Sequence, residues 1–206
     1  MGKLEKARPL HEESLQASRE TLGDRHPSTL ASINNMGDLL QAMDQLEEAR
    51  PLLEEDLQAS RETLGDRHPD TLISIYNMGA LLQAMGKLEE ARLFYEEDLQ
   101  ASRETLGDRH PSTLTSIGNM GMLLKKMGKL EEARPLYDEA LQGMRETLGD
   151  RHPGTLRSIN NMGVLLQVMG QLEEARLLLE EALQGRKETL GDNHQHTRNT
   201  MGMLDT

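Results

Sequence analysis

Four histidines stand at one interval in the chain. His26, His68, His110 and His152 are 42 residues apart, each directly before a proline. Imidazole is a common zinc ligand at about 2.0–2.1 Å, so a metal site is the first chemistry to weigh. The spacing speaks against it. If each interval holds two helices, neighbouring copies stand roughly two helix widths apart, on the order of 16–20 Å, and no ion touches two of them. Each His is expected to act locally at a helix start. His194 and His196 are close enough to share an ion, but two ligands make a weak signal. Four asparagines keep the same interval: Asn35, Asn77, Asn119 and Asn161. Side-chain amides both donate and accept. Such a ladder suits the backbone of an extended peptide; the alternative is that each Asn bonds neighbours on its own helix.

Other chemistry finds little support. Glu47-Glu48 and Glu54-Glu55 recur in every copy, with Asp138 replacing one Glu. They are sequence neighbours on a charged helix, which reads as a solvated face rather than the opposed carboxylates of a hydrolase. No GxxxxGK[ST] phosphate loop occurs. Cysteine is absent, which excludes disulfides, thiolate zinc sites and a catalytic thiol. No metal site, cofactor or enzymatic activity is expected. The net charge of −12 argues against nucleic acid, whose phosphates require clustered Lys and Arg. No apolar run approaches the length of a membrane span. The first ten residues, MGKLEKARPL, contain neither an apolar signal core nor the Ser or Thr of a myristoylation site. A cytoplasmic location without membrane attachment is the expectation.

The elements that position these residues follow from the repeat. LGDRHPSTL begins at Leu22 and returns, with small changes, at Leu64, Leu106 and Leu148, then decayed as LGDNHQHTR at Leu190. Four full repeats therefore span 22–63, 64–105, 106–147 and 148–189. Residues 1–21 match a second helix alone, with Met1 in the register of Met43. Residues 190–206 reach the start of a further first helix, expected at Met201 to Leu204. In each repeat one helix begins at the proline, whose fixed φ suits a first helical position. Leu30, Ile33, Met36, Gly37, Leu40 and Met43 follow at spacings of three and four and draw an apolar stripe. A turn at 44–45 leads to a second stripe, Leu46, Ala49, Leu53 and Leu57. Gly23 and its equivalents are expected as left-handed caps of the second helices. Pro9, Pro51 and Pro135 lie inside those helices, where Leu93 and Leu177 show that the helix survives either residue. Neither helix buries its stripe alone, so the pairs must stack. With four aromatics in 206 residues, Leu, Met, Ile and Ala must fill the spaces between helices.

Ile33, Met36, Gly37, Leu40, Leu46, Ala49, Leu53 and Leu57 carry the spacing of the tetratricopeptide repeat (TPR). The 42-residue unit, with its Gly-Asp-x-His-Pro linker, Asn-Asn before a small residue and Glu-Glu-Ala-x-Pro-Leu, resembles the TPRs of kinesin light chains. The resemblance covers essentially the whole chain. It implies an all-α fold, a right-handed superhelical α-solenoid of antiparallel helix pairs, forming a single array over 1–206. Asp56 and Asp98 stand where the family usually has Ala, as at Ala140 and Ala182; an acid there is expected to face outward or to loosen the packing.

The resemblance also implies that the first helices line a concave groove, at positions 31, 34, 38, 41 and 42 of the first repeat and their equivalents. These are Ala31, Asn34, Asp38, Gln41 and Ala42; then Ile73, Tyr76, Ala80, Gln83 and Ala84; then Thr115, Gly118, Met122, Lys125 and Lys126; then Arg157, Asn160, Val164, Gln167 and Val168. The first and third repeats differ at twelve of 42 positions, and all five groove positions are among them. Glu47, Glu48, Arg50 and Gln58 recur in all four repeats. Divergence on the groove fits a recognition surface whose copies read different parts of a ligand, against drift at positions free of packing. Ile73, Tyr76 and Met122 would make an apolar hollow; Lys125, Lys126 and Arg157 would make a cationic patch. That pairing suits a peptide with an apolar anchor beside acidic residues. The TPR clamp for C-terminal carboxylates is not expected, because it wants Lys where Asn34, Tyr76, Gly118 and Asn160 stand.

The leading expectation is a non-enzymatic protein–protein interaction scaffold that binds an extended or helical peptide in the groove. The alternative is a structural array stacking end to end: neither end has the polar face of a cap, so the chain reads as part of a longer array whose ends pair with another copy or whose last residues are poorly ordered. A designed consensus array is disfavoured by the groove-centred differences.

Overall fold

The computed structural model describes residues 2–204. Met1, Asp205 and Thr206 lie outside the described residues, and with them the register of Met1 and the order of the last two positions. Ten helices follow in chain order: α1 Gly2–Leu22, α2 Pro27–Ala42, α3 Leu46–Leu64, α4 Pro69–Ala84, α5 Leu88–Leu106, α6 Pro111–Lys126, α7 Leu130–Leu148, α8 Pro153–Val168, α9 Leu172–Leu190 and α10 Gln195–Leu204. The fold is all-α, with no strand among the described residues. The helices gather into two compact units, residues up to Ala101 and residues from Ser102 onward, with the division inside α5.

The local code of each repeat is visible at its helix ends. His26, His68, His110 and His152 are N-caps: Nδ1 accepts from the backbone N–H two residues on, at 3.1–3.2 Å, satisfying a donor that the helix start leaves unpaired. The same cap recurs at His194, where Nδ1 accepts from His196 N at 3.2 Å. It opens α10 at Gln195, six residues before the expected Met201. The cap, rather than the proline that Gln195 replaces, sets that boundary.

The left-handed caps fall elsewhere than expected. They close the first helices, at Asp44, Gly86, Gly128 and Gly170, with φ of 61–78°. The next N–H reaches back five residues, as in Gln45 N to Leu40 O at 2.8 Å, the six-to-one bond of a Schellman motif. Gly65, Gly149 and Gly191 end the second helices with φ of 80–86° and ψ of 160–164°, an extended mirror region that essentially only Gly occupies.

In the second unit, Gly121 faces Tyr137 while Leu114 faces Gly143, and Gly163 faces Leu179 while Leu156 faces Gly185. The pairs α6–α7 and α8–α9 therefore run antiparallel. In the first unit the connection 43–45 turns α3 back along α2, where Gly37 leaves room for Leu53; a Cβ there would stand 2.6 Å from Leu53 Cδ2. Ile33, Leu40, Ala49 and Leu53 are buried in the first unit, and Ile159, Leu166, Ala175 and Leu179 in the second. Met36, Met78, Met120 and Met162 are buried among them, as gap-filling side chains should be. The helices run through Pro9, Pro51 and Pro135 unbroken.

Successive second helices are joined by guanidinium–carboxylate pairs: Arg19–Glu55 and Arg61–Glu97 in the first unit, Arg103–Glu139 and Arg145–Glu181 in the second, at 2.6–2.8 Å. Part-exposed pairs of this kind contribute at most about 1 kcal/mol each.

Asp56 and Asp98 do not face outward. They are 0% and 4% exposed, and α3 still packs on α2 and α4 around Asp56. The Asp56 side chain is short enough to turn into a polar recess beside the stripe, so the core closes without an alanine there.

Candidate peptide-binding surface

Two cavities, one in each unit, are lined by several of the expected positions on the first helices. In the first unit, Ala31, Asn34, Asn35 and Asp38 of α2 and Ile73 and Asn77 of α4 line a cavity of about 270 Å³, together with Asp56, Ser60, Asp70 and Ser74. In the second unit, Thr115 of α6 and Arg157, Asn160 and Asn161 of α8 line a cavity of about 560 Å³, with Arg186 of α9 and His196 and Met203 of α10. Eight of the thirteen residues expected at the site thus converge on two hollows.

The asparagine ladder is not uniform. Asn77 is buried and its Nδ2 donates to Asn34 Oδ1 at 3.0 Å, a bond to the preceding repeat rather than to its own helix. Asn35 is exposed, and Asn119 and Asn161 are half-buried. Asn119 lines neither cavity. Asn160 is buried, and its Oδ1 accepts from Arg186 Nη1 at 3.1 Å and from Thr200 at 3.0 Å.

The expected cationic patch divides in two. Arg157 stands in the second turn of α8 and donates to Thr115 Oγ1 at 3.3 Å, which places it level with the start of α6. Lys125 and Lys126 stand in the last turn of α6, ten residues on, or about 15 Å at 1.5 Å per residue. Lys125 is half-buried, and loss of solvent lowers its pKa. Of the expected apolar hollow, Ile73 is 52% exposed; Tyr76 is half-buried with its ring 5.9 Å from that of Tyr95. Met122, in the second unit, is half-buried.

Two residues outside the expected set dominate the electrostatics. Asp56 lies on the wall of the first cavity. Desolvation pushes its carboxyl up to about 6, against a smaller opposing pull from Ser74 and Asn34. Arg186, 8% exposed, stands where the earlier repeats have Ser60, Ser102 and Met144. Its Nη1 also reaches His196 O at 3.1 Å and Thr200 Oγ1. The sequence signal for both was a charge at a position where other repeats carry a small or apolar residue. No group of three or more His, Asp or Glu that could hold a metal ion occurs among the described residues. No described helix is long and apolar enough to cross a membrane.

Stacked antiparallel helix pairs with polar side chains gathered on the first helices define a helical-repeat protein of the binding type. A sequence profile of the tetratricopeptide repeat matches residues 1–55, 30–104, 74–133 and 113–188. The chain belongs to the tetratricopeptide repeat family, and its repeats are of the kinesin light chain-like kind. The nearly identical TPR-like repeats of a Podosopora anserina protein assigned to the kinesin light chains are 31% identical to it. That match has a TM-score of 0.73 and covers 92% of this chain and 90% of that one. BtubC (BKLC) from P. vanneervenii shares the fold at 24% identity, with a TM-score of 0.82 over 98% of this chain and 81% of that one. So does the Rap conjugation gene regulator of the plasmid pLS20, solved with the Phr* peptide, at 17% identity and a TM-score of 0.79 over 98% of this chain and 53% of that one. No curated protein matches the sequence.

Proposed function

We propose that the chain is a non-enzymatic scaffold that holds an extended or helical peptide against its first helices. The observation that carries this reading is the convergence of residues from successive first helices on one cavity in each unit: Asn34, Asn35, Asp38, Ile73 and Asn77 in one, Arg157, Asn160 and Asn161 in the other. The repeat differences gather at these same positions. Asn35, Asn119 and Asn161 keep amides available to a peptide backbone, while Asn77 and Asn34 brace one another. Ile73 and Tyr76 of the first unit and Met122 of the second offer apolar surface. Arg157, and separately Lys125 and Lys126, offer cations to acidic residues. Their separation of about 15 Å corresponds to four or five residues of extended chain. The regulator solved with the Phr* peptide has the same fold, which makes a peptide the first ligand to test.

Peptide display against the full chain, followed by calorimetry, is the direct test. The reading expects micromolar binders enriched in acidic residues that lose affinity on Lys125→Glu with Lys126→Glu. No binder would overturn it; binders indifferent to the charge reversal would remove the lysines from the site.

A second reading, end-to-end assembly, is favoured by Leu10. It is 66% exposed on α1, while its equivalents Leu52, Phe94, Leu136 and Leu178 are half-buried. Light scattering across a concentration series decides it: a mass that stays at one chain throughout excludes assembly.

A further inference from the structure

The first-unit cavity has a wall that its own residues leave incomplete. Asp56 is 0% exposed, and neither carboxylate oxygen receives a hydrogen bond. Its nearest polar neighbours, Ser74 and Asn34, support it only weakly, lowering its carboxyl less than burial raises it. The Ser74 hydroxyl is directed at Asp70 O, 3.1 Å away, and Ser60 Oγ, 3.4 Å away. Asn34 turns its Oδ1 to the Asn77 amide. A buried carboxylate so weakly supported is among the costlier arrangements a fold can keep. It is retained here although Ala fills the same position at Ala140 and Ala182.

The surroundings narrow what would complete it. Asp38 and Asp70 also line the cavity, and no Lys, Arg or His does. A group that is both a donor and a cation would complete it and offset all three acids. An inorganic ion is a poor fit, because no group of three or more His, Asp or Glu suited to one stands together among the described residues. The cavity, at about 270 Å³, is below the size that encloses a drug-sized molecule, which leaves room for one side chain. Amide and hydroxyl groups at Asn34, Asn77 and Ser74 suit the flanks of such a group.

We propose that this cavity is a subsite for one basic side chain, arginine or lysine, of the peptide assigned above to the first-helix surface, with Asp56 as its counter-anion and Asn34, Asn77 and Ser74 around its head. The proposal rests on the peptide-binding reading. It assigns a basic residue to the part of the ligand that meets the first unit. The Asp56 carboxyl, held near 6 by burial, is still mostly ionised at neutral pH. Protonation in mild acid removes the attraction. Of the other acids near it, Asp38 of α2 and Asp70 of α4 line the same cavity and reinforce a cation, while Glu55 on its own helix is already paired with Arg19 of α1.

The test uses the ¹⁵N-labelled full chain and two small probes, N-acetyl-arginine amide and N-acetyl-lysine amide, followed at the side-chain amides of Asn34 and Asn77. At least one probe is expected to shift both signals saturably with a millimolar dissociation constant, and the tighter one identifies the head group. N-acetyl-citrulline amide, uncharged but of arginine's shape, is expected to bind at least about tenfold more weakly. Asp56→Asn should weaken the charged probe by a similar factor. Ser60→Arg, one turn along α3, should abolish the response by supplying the cation internally. Absence of saturable shifts for both probes would overturn the proposal, as would citrulline binding equally well or affinity untouched by both variants. Because the probes need no peptide, this outcome is separate from the display experiment: display can succeed without a basic residue at this position, and the probes can bind where display fails.

Discussion

At one and the same position of the repeat, the first unit buries Ser60 and the second buries Arg186. One helical turn earlier they bury Asp56 and Ala182. The backbone is alike in both places, yet the two recesses have opposite charge and opposite completeness. Arg186 has found acceptors in Asn160 Oδ1, His196 O and Thr200 Oγ1, and so ties α10 to α8 and α9. Asp56 makes no close hydrogen bond at either oxygen and is supported only weakly by Ser74 and Asn34. A buried charge with its hydrogen bonds made is a structural joint; one without them is a cost that a ligand can relieve. The repeat thus serves as a constant frame, and two side chains per copy decide whether a recess is closed from within or left for something outside.

The largest test of this contrast is Arg186→Ala. It strips the buried acceptors of their charged donor, and a loss of about 3 kcal/mol is expected, read as a lower urea midpoint and faster amide exchange across Thr197–Leu204. An unchanged exchange pattern in α10 would show that Arg186 is not the joint.

Asp56→Ala should move stability the other way, by about 2 kcal/mol at neutral pH. The sign follows from the titration. Asp56 ionises near 3.8 when unfolded and near 6 when folded, so the native state holds the proton more tightly. Its contribution is therefore most favourable below about pH 4 and is lost as pH rises through about 6. The gain of the variant should shrink towards zero in urea titrations near pH 4. A pH-independent gain would mean that packing, not ionisation, is responsible.

Ala182→Asp exchanges the feature between units. The new carboxylate stands one turn before Arg186 and can pair with it, so a cost below about 1 kcal/mol is expected, against a markedly larger one in the Arg186→Ala background. Equal costs in the two backgrounds would break the comparison. A comparable effect is expected for Asn77→Ala, about 1 kcal/mol for one hydrogen bond to Asn34, measured by thermal melting.

Helix positions, caps and stripes were legible because they depend on neighbours within a few residues. The proline and histidine at each start and the three-and-four spacing of Leu, Ile and Met are local rules, and 42-residue recurrence multiplies them. Placement of the glycines was less so. Gly23 and Gly86 both precede a polar residue and a helix, and the sequence does not distinguish a Schellman cap from an extended linker glycine. The start of α10 follows the histidine cap and not a proline, and that cap alone is shared by all five starts.

The candidate site was legible as a set of positions and not as chemistry. Repeat differences singled out Asn34, Asp38, Ile73, Arg157 and Asn160, which do line the cavities. They did not separate Arg157 from Lys125 along the helix axis, and they did not show that Asn77 is braced by Asn34.

The sequence by itself determined the all-α class, the 42-residue pairing of helices, the histidine caps and the face of each first helix, since each is set by spacing along the chain. Tertiary structure alone decided that Asp56 lies buried and unpaired and Arg186 buried and satisfied. Whether a charged side chain meets a partner depends on residues 10 to 26 positions away, and on whether a helix closes water out above it.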